Sequence, residues 1–162
     1  MERKQAMTQQ LDDEYTAIHM GERLRKNPLA NLGHSLTDKI GSQSSGLHLL
    51  RNLFGAGGMY HPLSKSINID PKYVGTESYD DIMMHEWMHP ALIEQKGLIP
   101  DILTDSNHDI INYIMLNDPD VSDGMHYGAR EHFPERVSQE YADQLKSEVK
   151  SAQQGALQKL QR

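Results

Sequence analysis

His85-Glu86-Trp87-Met88-His89 decides how the rest of this chain is interpreted, because HExxH on a helix is the minimal signature of a zinc-dependent hydrolase. Residues four apart lie on one face of a helix, so two imidazoles can bind one ion. Glu86 follows the first imidazole and can act as general base on a water that the metal activates. The motif predicts a metal site with His85 and His89 as ligands and Glu86 as the catalytic residue.

The sequence around the motif predicts a helix that begins near Ser78 and ends near Gly97. Ser78 and Asp81 match the Ser/Thr-x-x-Asp/Glu capping signature, and glycine is the usual residue just after a helix end. Pro90 lies inside this helix and has no N–H to donate to the carbonyl of Glu86. We therefore expect a bend at Pro90.

A short β-hairpin is predicted before this helix. Met59-Tyr60 and Ile67-Asn68-Ile69 have strand-like composition, and they flank the turn-forming stretch Pro62-Leu63-Ser64-Lys65. Together with the helices, the hairpin predicts an α+β, mostly helical fold.

The third metal ligand is the main question, because catalytic zinc sites use three protein ligands and leave one position open for water. The extended pattern HExxHxxGxxH is excluded, since Leu92 and Gln95 stand where it needs Gly and His. His108 is the expected ligand. It lies near the start of the next predicted helix, which Thr104 or Asp105 can cap, after a connection long enough to turn the chain back.

Carboxylates also bind zinc, so other third ligands stay open. Asp109 is the nearest alternative to His108. Glu131, Glu135 or Glu140 would serve if the last helix folds back on the site, as in glutamate-type zincins.

Three stretches carry a resemblance to a known group: Ile67-Asn68-Ile69-Asp70-Pro71, the residues 81–89 with HExxH, and the residues 107–112. They resemble the metallopeptidase domain found beside von Willebrand A-like domains, in which a metal-binding Asp stands four residues before an Asn. Asn112 is matched here, but His108 stands in place of the Asp. Either His108 replaces the carboxylate, as in SprT-like zincins with three histidines, or Asp109 takes its role one residue later.

The resemblance covers roughly residues 59–116 and implies a minimal zincin core with peptidase-like activity and Zn²⁺ as cofactor. In zincins an edge strand lines the substrate cleft. The resemblance therefore implies that Ile67-Asn68-Ile69 lies beside the bound substrate.

With 162 residues, the chain has room for one domain with a hydrophobic core. We expect an N-terminal helical segment and linker over residues 1–46, with the flexible stretch 41–46 at its end. A catalytic core over 47–133 follows, in which 122–133 is expected to be a polar loop. A C-terminal helix is expected over 134–162, beginning near Pro134.

Charge and composition exclude several classes of protein. A net charge of −7 disfavours nucleic-acid binding and binding to anionic membranes, which need clustered Lys and Arg. The absence of cysteine excludes disulfides and thiolate zinc ligands. We expect no signal peptide and no membrane span, and a cytoplasmic or virion-associated protein.

The predicted reaction is hydrolysis of peptide bonds in a peptide or protein substrate, with His126 or Tyr127 as candidate donors to the transition state. One alternative is a structural or assembly protein, for example of a phage particle, that keeps the fold without turnover. Its polar ends, 1–40 and 134–162, would dock into a larger assembly. The other alternative is a hydrolase of cell-wall peptides.

Overall fold

The computed structural model of the protein describes residues 20–37, 56–98, 106–132 and 138–162. These residues form a mostly helical α+β structure, which confirms the predicted fold class. The helices are α1 (Gly21–Lys26), α2 (Pro28–Leu36), α3 (Glu77–Lys96), α4 (Ser106–Asn117), α5 (Asp123–His132) and α6 (Gln139–Leu160). The strands are β1 (Gly58–His61) and β2 (Ser66–Ile69), and a 3₁₀ turn covers Pro71–Tyr73.

The predicted hairpin is confirmed. Strands β1 and β2 pair antiparallel, with Gly58 opposite Ile69 and His61 opposite Ser66, and residues 62–65 form the turn. All four residues of β2 are buried, whereas those of β1 are half-buried. The sheet therefore packs β2 into the protein and leaves β1 at its margin.

Helix α3 carries the HExxH motif, and many of its side chains are buried, with Trp87 and Met88 fully so. The helix ends as predicted, because Gly97 follows it with φ of 91°, a value that glycine adopts without strain. The helix also continues through Pro90 without a break.

The predicted capping box of α3 is wrong. The helix begins at Glu77 with Thr76 as N-cap, and no side chain caps it. Asp81 is instead 1% exposed and accepts hydrogen bonds from Arg23 Nη2 at 2.6 Å and from the backbone N–H of Ser122 at 2.9 Å. This carboxylate therefore joins three distant segments of the chain. Removing one partner of a buried ion pair costs about 3–5 kcal/mol of the free energy of unfolding.

Helix α2 packs directly on α3. Asn27 ends α1 and caps α2, where its side chain accepts from the N–H of Ala30 at 3.1 Å, and Pro28 occupies the first turn. A Cβ built on Gly33 of α2 would lie 1.5 Å from the carbonyl oxygen of Trp87. The two helices approach so closely that only glycine fits at this position.

The prediction of a loop over 122–133 is wrong, because residues 123–132 form α5. The Ser122 carbonyl accepts from the N–H groups of Met125 and His126, both at 3.0 Å. Ala129 is 7% exposed, and Met125 packs against the core. Burial of this face offsets the low helix propensity of the glycines in α5.

Helix α6 packs mainly on α2 and also contacts the end of α3. Its first residue is Gln139 rather than Pro134, and residues 133–137 lie outside the described ranges. Leu145 and Val149 are buried, as their helical spacing predicts. Ion pairs of Lys96 with Glu148 at 2.8 Å and of Lys159 with Glu94 at 3.2 Å connect α3 to α6.

Several predicted features lie outside the described residues: positions 1–19 of the N-terminal segment, the linker 41–46 and the capping residues Thr104 and Asp105. The described residues 20–36 contribute Leu24, Leu29 and Leu32 to the same core as α3. None of the described helices is long and apolar enough to cross a bilayer.

Candidate metal centre

Helix α3 presents His85 and His89 one turn apart, as the motif predicts. The centroids of the two imidazole rings are 5.2 Å apart. His89 is 6% exposed, and His85 is half-buried. Both side chains are therefore partly removed from water, and their positions are set by the helix that carries them.

His108, in the first turn of α4, joins this pair. Its ring centroid lies 5.6 Å from that of His85 and 4.6 Å from that of His89. One ring nitrogen of each histidine lies within 4.8 Å of the others. Nitrogen ligands of a tetrahedral zinc ion, each at about 2.05 Å from it, are about 3.3 Å apart, so small side-chain rotations suffice to bind the ion.

The donor set fits zinc, which binds neutral imidazole readily and in catalytic sites takes three protein ligands. Among the residues that the structure describes, no other three His, Asp or Glu side chains converge in this way. The structure therefore brings together the three predicted ligands, His85, His89 and His108.

The alternative ligands are placed differently. The Asp109 carboxylate is outside the histidine cluster and accepts a hydrogen bond at Oδ2 from the hydroxyl of Tyr141. Glu140 is exposed on α6. The side chain of Glu131 and all of Glu135 lie outside what the structure describes.

Glu86 lies next to the histidines and is 6% exposed. Strand β1 begins beside it: a Cβ built on Gly58 would lie 2.9 Å from both Cγ and Oε1 of Glu86. It would also lie 2.6 Å from Cγ2 of Ile82. The absence of a side chain at position 58 thus leaves the space that the Glu86 carboxylate occupies.

His85, His108 and Glu86 line a cleft of about 940 Å³, and His89 lies behind them, outside its lining. The start of the hairpin forms one wall and α5 forms another. The lining residues are Ala56, Gly57, Gly58, Tyr73, Ser78, Ile82, His85, Glu86, His108, Asp109, Asn112, Met115, Gly124, Met125, Gly128, Ala129 and Tyr141. Its size suits a segment of peptide several residues long.

The wall next to Glu86 differs from the one implied by the resemblance. Ile67-Asn68-Ile69 belongs to β2, which is fully buried, and it does not line the cleft. Residues 56–58, at the start of β1, line it instead. The physical reason is the pairing of the hairpin, which packs β2 into the core and leaves β1 at the margin.

Tyr141 lines the cleft. It lies in the first turn of α6, where its backbone N–H donates to the capping hydroxyl of Ser138 at 3.2 Å. Its phenol donates to Asp109, and this hydrogen bond, followed by burial, raises the pKa of Tyr141 to about 12. The phenol is therefore protonated throughout the neutral range.

Of the two predicted transition-state donors, the structure places only the side chain of His126. Nε2 of His126 lies 3.1 Å from the carbonyl oxygen of Asp118, in the connection between α4 and α5, and His126 does not line the cleft. The side chain of Tyr127 lies outside the described residues. Sequence reasoning missed Tyr141 as a cleft residue, because its spacing with Leu145 and Val149 indicated a core-facing position.

Comparison of the chain with protein-family models, with curated proteins and with solved structures finds no match.

Proposed function

We propose that this protein is a zinc-dependent metallopeptidase. The observation that carries the proposal is the convergence of His85, His89 and His108 at a cleft that can hold a peptide and that Glu86 also lines. Helix α3 alone accounts for two of these histidines, but His108 comes from a separate helix. A fortuitous HExxH sequence would not require a third imidazole at this point.

Bound zinc would supply Lewis acidity, which acidifies water and polarises a peptide carbonyl. The chain supplies the proton transfers. Glu86 takes a proton from the attacking water and then gives it to the nitrogen of the leaving amine. Its burial and its place at the wall of the cleft hold the carboxylate close to the histidine cluster.

The metal site is tested by elemental analysis of the purified protein after incubation with zinc and gel filtration. The wild type is expected to hold one zinc per chain. His108→Ala is expected to lower the zinc affinity by more than about 100-fold, because loss of a ligand exceeds the effect of losing an outer-shell partner. The matched control is His126→Ala, which removes a histidine outside the cluster and should leave zinc bound. Equal zinc loss in both variants would contradict the assignment.

The reaction is tested with denatured casein as a general peptide substrate. Glu86→Gln should reduce hydrolysis by about 10²- to 10⁴-fold while the zinc content stays unchanged. Glu94→Gln is the control, since Glu94 lies two turns later on α3 and pairs with Lys159 outside the cleft. Zinc binding without hydrolysis in the wild type would instead support the structural alternative.

A further inference from the structure

Two residues of the cleft belong to neither the metal cluster nor the proton transfer. Asp109 follows His108 on α4, and Tyr141 reaches the same place from the first turn of α6. The Tyr141 hydroxyl donates its hydrogen bond to Oδ2 of Asp109. A carboxylate and a phenol therefore form a pair at the wall of the cleft, next to a predicted metal ligand.

The direction of this hydrogen bond determines what Tyr141 offers to a bound molecule. A phenol has one hydrogen to donate and two lone pairs that accept. Its hydrogen is used by Asp109, so the lone pairs are what remains. Donation to a charged acceptor also polarises the phenol oxygen and strengthens it as an acceptor.

The pair is held on regular helices. Tyr141 lies directly after the capped start of α6, and Asp109 lies in the first turn of α4. No Lys or Arg is among the described residues that line the cleft, so no ammonium or guanidinium group there competes with Tyr141 for the Asp109 carboxylate. These conditions keep the phenol hydrogen directed at Asp109.

We propose that the phenol oxygen of Tyr141 accepts a hydrogen bond from a backbone N–H of the peptide substrate, and that Asp109 is the positioning residue that fixes this polarity. The proposal rests on the proposed peptidase function. It assigns Tyr141 to substrate binding and not to stabilisation of the oxyanion, which would need a donated hydrogen.

The test uses alanyl-leucyl-glycyl hydroxamate, whose hydroxamate binds the metal, and two analogues in which one internal N–H is replaced by an ester oxygen. Affinities for the zinc-loaded protein are measured by calorimetry. For one of the two positions, the wild type should bind the N–H compound about 10-fold more tightly than the ester. In Tyr141→Phe this ratio should fall below about 2-fold. Circular dichroism and zinc content should match the wild type.

Asp109→Ala provides the test of the positioning role, because it removes every side-chain acceptor at this position. Without an acceptor, the phenol hydrogen is free to point towards the ester oxygen, so the preference for N–H should shrink. An undiminished preference in Asp109→Ala would overturn the positioning role. An undiminished preference in Tyr141→Phe would overturn the whole proposal.

Kinetics with a fluorogenic peptide give a second readout. Tyr141→Phe should raise KM about 10-fold and change kcat by less than about 2-fold, as expected when binding in the ground and transition states is lost equally. A fall in kcat at constant KM would assign Tyr141 to the transition state and overturn the proposal.

Failure of this inference differs from failure of the proposed function. If the zinc-treated wild type holds no zinc and binds none of the hydroxamates, the metal centre itself is disproved and the inference falls with it. If the wild type binds the hydroxamate and both esters equally, only the role of Tyr141 is disproved.

Discussion

The two sides of helix α3 both depend on a glycine that lets another segment come close, yet the contacts differ in kind. On the core side, Gly33 of α2 faces the backbone carbonyl of Trp87. On the cleft side, Gly58 of β1 faces the side chains of Ile82 and Glu86. A backbone contact cannot yield without moving a helix, whereas side chains can rotate away. The core side should therefore govern stability, and the cleft side should govern activity.

Replacing Gly33 is expected to have the largest effect on stability, because it disrupts the contact between α2 and α3 on the core side. In Gly33→Ala, the new Cβ would be 1.5 Å from the Trp87 oxygen, so α2 and α3 must separate. Overpacking of this kind costs about 3 kcal/mol or more of the free energy of unfolding. Urea denaturation followed by circular dichroism measures the loss.

The matched control for Gly33 is Gly128→Ala. Gly128 also lies inside a helix, but a Cβ there would meet nothing within 4 Å in the part of the chain that the structure describes. This control should stabilise the protein by up to about 1 kcal/mol, since alanine is the better helix former. Equal stability of the two variants would show that the close approach of α2 and α3 does not matter.

Replacing Gly58 tests the contact on the cleft side of α3. In Gly58→Ala, the new Cβ crowds Ile82 and pushes the Glu86 carboxylate away from its place beside the histidines. We expect kcat/KM to fall about 10- to 100-fold, because a small displacement of a catalytic group has effects of this size. Zinc content should stay unchanged, and stability should change by about 1 kcal/mol.

Gly57→Ala is the control for this variant. Its Cβ would lie 3.0 Å from Cδ1 of Ile82 and 3.1 Å from Cε2 of Tyr73, and its three nearest atoms all belong to these two residues rather than to Glu86. Activity in Gly57→Ala should therefore exceed that in Gly58→Ala at similar stability. If the loss of activity parallels the loss of stability in both variants, it results from destabilisation of the fold and not from displacement of the Glu86 carboxylate.

The smallest expected effect is a dependence of the free energy of unfolding on pH, which arises from Tyr141. The hydrogen bond to Asp109 raises the pKa of Tyr141 to about 12, above the value of about 10 in the unfolded chain. The unfolded state therefore loses the proton first. The stabilisation is complete below about pH 10 and is lost as the pH rises towards 12.

Denaturation of the wild type and of Tyr141→Phe at pH 9, 10 and 11 measures this contribution. The difference between them should be about 1 kcal/mol at pH 9, since Tyr141 is partly exposed, and it should shrink at each higher pH. A difference that is constant with pH would show that the phenol proton is not held by Asp109.

Local sequence signals predicted much of the fold and of the histidine cluster. Alternation and a turn identify the hairpin, and Gly97 marks the end of α3. The pairing of His85 with His89 follows from helix geometry alone. His108 required one further argument, namely that zinc needs a third ligand and that the next helix is near enough to supply it.

What the sequence did not predict depends on contacts between distant residues. Asp81 looks like part of a helix cap, but its partner Arg23 lies 58 residues away. Helix α5 contains Gly124 and Gly128, so it forms because tertiary packing outweighs their propensity. The bond between Tyr141 and Asp109 spans 32 residues and has no signal in the sequence.

The Asp81 carboxylate bears on the order in which the molecule folds. It joins Arg23, 58 residues earlier in the chain, to Ser122, 41 residues later. Closing loops of this length costs conformational entropy that formation of a local helix does not. His85 and His89 are aligned once α3 has formed, but Ser122, at the start of α5, must still travel to Asp81. The histidine pair can thus form before the wall that α5 contributes to the cleft.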